Sequence, residues 1–63
     1  MRFEVIFKSK KDFSTILKEF GKSHLVEFTD AEALTMVFKF LDLYDATQFL
    51  TPLDLFIRGY KKI

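Results

Sequence analysis

Nine phenylalanine and two tyrosine side chains have to be placed by a chain of 63 residues that contains no cysteine. A domain of this length buries only about 60% of the surface its unfolded chain exposes, so its interior is small. Disulfides are excluded, and with one histidine a structural zinc would have to rest on carboxylates, which is not how such sites are built. Packing alone must hold the fold. Residues 1–63 are therefore expected to form a single domain, and part of the apolar surplus is expected to face a partner or a second copy. A hydrophobic content of 49% argues against a disordered chain.

Ten lysines and arginines stand against nine acidic residues, so the net charge of +1 makes no overall case for nucleic acid or an anionic membrane. The distribution says more. Lys8, Lys10 and Lys11 cluster early, Arg58, Lys61 and Lys62 cluster late, and Glu32, Asp42, Asp45 and Asp54 make the middle acidic. No apolar run approaches the roughly 18 residues that span a bilayer, and Glu4 sits where a signal peptide would enter its apolar core. A cytoplasmic protein without membrane contact is the expectation.

Along residues 2–8, Phe3, Val5 and Phe7 alternate with Arg2, Glu4, Ile6 and Lys8, the period of a half-buried strand. Ser9 and Asp12 form a weak capping box, after which Phe13, Ile16, Leu17 and Phe20 recur at helical spacing up to a stop at Gly21. This predicts a helix over 10–20. A second strand is expected over 24–28, with Val26 and Phe28 on one face.

Thr29, Asp30, Ala31 and Glu32 make a stronger capping box. Beyond it, Glu32, Thr35, Lys39 and Asp42 line one stripe that covers only roughly 80° of a wheel at 100° per residue. Apolar residues fill most of the remainder, which predicts a long helix buried on more than one side. The competing reading takes Leu34, Met36, Phe38 and Phe40 as alternating with Thr35, Val37, Lys39 and Leu41 in a strand. It would give the ferredoxin-like order βαββαβ. The helix is preferred because the connection after Phe28 lacks the glycine or asparagine of a tight hairpin. Thr51, Pro52 and Asp54 then open a last helix over about 52–61, carrying Leu53, Phe56, Ile57 and Tyr60 on one face. The expected fold is thus α+β, a β-α-β-α-α domain whose helices pack on one face of a two-stranded sheet. Such a sheet would need a second copy or a partner strand to extend it.

No catalytic constellation emerges. His24 has no visible carboxylate orienter or nucleophile, and Asp42 with Asp45 or Glu32 has only the spacing of helix-surface residues. Gly21 and Gly59 are isolated, so no phosphate-cradling loop is present. A non-enzyme without cofactor or metal is expected. The apolar excess on faces that should be wet places a protein-binding surface at Met36, Phe40, Leu43 and Leu55. That format suits a small protein-binding regulator, of the kind of a phage-encoded inhibitor of a host enzyme, or a homo-oligomeric adaptor. The alternative is a small nucleic-acid-binding protein in which the Lys8, Lys10, Lys11 and Arg58, Lys61, Lys62 clusters converge and Phe13 or Tyr60 stacks bases. Against it, both rings fall on the apolar faces of their expected helices.

Overall fold

In the computed structural model, which describes residues 1–23 and 25–63, the first alternation is realised as strand β1, Arg2–Phe7. Phe3, Val5 and Phe7 are buried, while Arg2, Glu4 and Ile6 lie on the other side. Helix α1 spans Lys10–Phe20, as its periodicity predicts, and buries Phe13 and Ile16. Ser9 caps it by accepting the Asp12 N–H at 3.2 Å. Gly21 closes it in right-handed geometry, its N–H donating to the Leu17 carbonyl at 2.7 Å. Strand β2 covers Val26–Asp30. The expected start of that strand falls partly on His24, which lies outside the described residues.

The long helix expected after residue 32 does not form. Residues 31–34 turn the chain back, Thr35–Lys39 form strand β3, and a shorter helix α2 runs over Leu43–Leu50. The reason lies in the turn. The Asp30 carboxylate accepts the N–H groups of Glu32 and Ala33 at 3.1 and 3.2 Å, and Leu34 adopts φ 57°, the left-handed conformation that glycine or asparagine would normally supply. The last helix is corrected as well. Pro52 initiates a single 3₁₀ turn, Thr51–Leu53, after which the chain straightens into strand β4, Ile57–Lys62.

The order is therefore βαββαβ, the ferredoxin-like arrangement, and the β-α-β-α-α reading is overturned. All pairings in the sheet are antiparallel, in the order β2-β3-β1-β4. Four strands from one chain remove the premise that a partner strand must complete the sheet.

The buried side chains of β1, with Met36 and Phe38 of β3, meet Phe13 and Ile16 of α1 and Ala46 and Leu50 of α2. Phe40, Leu53 and Ile57 complete this core, and among the described residues no polar side chain is buried in it. Burying an aliphatic or aromatic side chain of this kind contributes about 1.5–3 kcal/mol, so these positions carry the stability that disulfides do not. The helices cover one face of the sheet and leave the other open.

Candidate nucleic-acid interface

Strand order makes β4 an edge strand. Its register with β1 sets Lys62 opposite Phe3, Lys61 opposite Glu4, Tyr60 opposite Val5 and Gly59 opposite Ile6, with an irregularity before Ile57 meets Phe7. Paired residues share a face, so Tyr60 and Lys62 lie on the helix-covered side of the edge and Lys61 on the open side. Arg58, Tyr60, Lys61 and Lys62 are all exposed. The Lys8 N–H donates to the Phe56 carbonyl at 3.1 Å, which brings Lys8, the first residue of the early basic cluster, to the beginning of β4.

The convergence of the two clusters is partial. Lys8 and Arg58 stand at one end of the edge, and Lys61 and Lys62 at the other. Lys10 lies apart from both, at a recess it lines with Ala31, Glu32 and Leu34 beside the β2–β3 turn. Lys11 follows it on α1.

Of the two rings expected to serve as stacking platforms, Phe13 is buried edge-on against Phe7, at 5.8 Å between centroids. Tyr60 differs. As a strand residue rather than a helix residue it keeps 50% of its surface exposed, with its ring packed edge-on to Phe3 at 5.7 Å and 70°. Phe3 in turn packs edge-on to Phe40 at 6.0 Å. The ring is anchored to the core on one side and open on the other.

The broad open face of the sheet is a poorer platform. Glu4, Ile6, Thr35 and Val37 form its half-buried centre, and Phe28 on the far edge, 57% exposed, presents its aromatic ring. Its charges pair across strands, Arg2 with Glu27 at 3.5 Å and Lys61 with Glu4 at 3.6 Å. Recognition of the kind that stacks bases on the two central strands has no rings to use there.

The four residues expected to form a protein-binding surface are not brought together. Met36 and Phe40 lie in the core, Phe40 with 4% of its surface exposed, because the segment that carries them is a central strand and its continuation. Leu43 opens α2, and Leu55, 79% exposed, follows the 3₁₀ turn. The sequence reading missed an apolar run at the start of α2, where Leu41 is 90% exposed and Tyr44 is exposed beside Leu43. Assigning 33–44 to one long helix hid it.

Two of the carboxylates considered for chemistry bond the backbone at the start of α2. Asp42 caps α2, Asp45 bonds the backbone of Leu41, and Glu32 sits in the β2–β3 turn. Among the described residues no cluster of three or more metal-binding side chains occurs, and no helix is long and apolar enough to cross a membrane. No protein-family model, curated protein or solved structure matches the chain.

Proposed function

We propose that the chain is a small non-catalytic nucleic-acid-binding protein whose contact surface is the edge strand β4, with Arg58, Lys61 and Lys62 engaging backbone phosphates and Lys8 extending the strip. One observation carries this reading: residues 57–62 form an edge strand, so the exposed late cations line one edge of the sheet, Lys62 on the same side as Tyr60 and Lys61 on the other, rather than surrounding a helix that buries the ring. A net charge of +1 makes the interaction local, dependent on this strip and not on the field of the whole molecule.

The test is fluorescence anisotropy of labelled oligonucleotides at several salt concentrations. Three neutralised phosphates give a slope of log K against log salt of about −2 on a single strand and about −2.7 on a duplex. Replacing Arg58, Lys61 and Lys62 by glutamine should remove binding, whereas Lys10→Gln with Lys11→Gln, away from the edge, should leave most of it. Absence of salt-dependent binding would refute the proposal.

A second reading, a protein-binding regulator in the cytoplasm, draws support from the exposed run Leu41, Leu43 and Tyr44 and from Leu55. Its association would be apolar and nearly insensitive to salt, so the same titration against a captured partner separates the two.

A further inference from the structure

We infer that the nucleic acid bound at the β4 edge is single-stranded and that it places a base on the exposed ring of Tyr60, next to a phosphate held by Lys62. This inference rests on the reading of β4 as a phosphate-binding edge and goes on to name the class of ligand.

Tyr60 and Lys62 are two residues apart and lie on the same side of the strand, so an aromatic and a cationic side chain leave the backbone about 7 Å from one another. A stacking surface beside a cation is the arrangement that binds single strands without sequence preference, since every base has a π-face to offer. Half of Tyr60 is open, and its packing against Phe3, itself braced by Phe40, holds the ring in place before any ligand arrives. A fixed ring loses little rotamer freedom on binding, which leaves more of the stacking energy as affinity.

A duplex makes poor use of the same geometry. Its bases are stacked on one another, and its major groove is read by a helix or a two-stranded ribbon that enters it. At this edge the outermost strand belongs to a four-stranded sheet. Against a duplex, Tyr60 would meet only the sugar-phosphate backbone.

Tyrosine fluorescence offers a direct readout, because the chain has two tyrosines and no tryptophan. In Tyr44→Phe protein the remaining emission comes from Tyr60. Titration with a short oligothymidylate should quench it, whereas an abasic strand of equal length should bind more weakly and quench little. The duplex of the same oligothymidylate with oligoadenylate should also bind more weakly. Tyr60→Ala should lose about 10-fold or more in affinity for the single strand with an unchanged salt slope, and Tyr60→Phe should stay near the parent. Tyr60→Leu keeps an apolar contact with Phe3 while removing the π-face, and should lose affinity as Tyr60→Ala does even where thermal unfolding shows it fully folded. Equal affinity for strand and duplex, or full binding by folded Tyr60→Leu, would overturn the stacking inference while leaving the phosphate-binding edge standing. Failure of every oligonucleotide to bind would remove both.

Discussion

Asp42 and Asp45 hold opposite sides of one turn: the Asp42 carboxylate accepts the Asp45 N–H at 2.8 Å, and the Asp45 carboxylate accepts the N–H of Leu41 at 3.2 Å. Asp42 is thus the N-cap of α2, and Asp45 ties the residue before the cap to the first turn. Asp42→Ala should destabilise the protein by about 1 kcal/mol in urea unfolding, while Asp42→Asn should retain nearly all the stability, because asparagine caps as well as aspartate does. Equal losses for both variants would show that charge, not the hydrogen bond, is what matters at this position.

Phe40 should behave as core. Its ring contacts those of Phe3, Phe38 and Phe49, so Phe40→Ser removes one member of an aromatic cluster and puts a hydroxyl in its place. The lost ring alone costs about 3–5 kcal/mol, comparable with the total stability of so short a chain. Circular dichroism should find Phe40→Ser largely unfolded. Leu43→Ser and Leu55→Ser, at exposed positions, should shift stability by no more than about 0.5 kcal/mol.

The two glycines should respond in opposite directions. A Cβ at Gly59 meets nothing within 4 Å, and the residue does not have positive φ, so Gly59→Val gains strand propensity and a cross-strand neighbour in Ile6. A gain of about 0.5–1 kcal/mol is expected. At Gly21 a Cβ would press on the Leu17 carbonyl oxygen and come within 2.9 Å of its Cδ1. Gly21→Ala should therefore lower the melting temperature, and a rise would mean that the end of α1 relaxes freely.

Glu4 partly neutralises Lys61 on the proposed phosphate-binding edge. Glu4→Gln should accordingly tighten oligonucleotide binding, because Lys61 no longer has to leave a carboxylate to meet its phosphate. Since Lys61 is exposed and Glu4 only half-buried, the stability lost should stay below about 1 kcal/mol. Weaker binding by Glu4→Gln would place the contact elsewhere on the surface.

Local signals gave β1 and α1 because each has one periodicity and a matching boundary: Phe3, Val5 and Phe7 in the first, and Ser9 with Phe13 and Ile16 in the second. Residues 33–44 resist such a reading. β3 is central, with Met36 and Phe38 inward and Val37 half-buried between Thr35 and Lys39 outward, and inside the apolar run 33–44 that pattern satisfies a helix and a strand alike. The capping signal at residues 29–32 marks real hydrogen bonds, since Asp30 accepts the N–H groups two and three residues on, as a helix cap does. Here they close a hairpin turn, completed by Leu34 at φ 57°, a conformation that costs leucine about 1–2 kcal/mol and that no propensity anticipates. Pro52 likewise starts a genuine helical turn that stops after three residues. The cations of the candidate site were visible in the sequence, but their alignment along one edge follows from pairing 57–62 with β1, a contact between the two ends of the chain.

That pairing has a kinetic consequence. β1 precedes both of its neighbours, and the partner of Glu4 on β4 is Lys61, so the sheet closes only when segments at opposite ends of the chain meet. Non-local pairings of this kind slow folding, because loop-closure entropy must be overcome before the contacts return any energy. During synthesis Phe3, Val5 and Phe7 emerge before Thr35–Lys39 can cover one edge of β1 and long before Lys61 and Lys62 can cover the other, leaving one edge of an apolar strand open until β4 is made. The lysines that line the finished edge cannot guard that intermediate, and a nascent chain of this protein carries an open apolar edge until its last strand arrives.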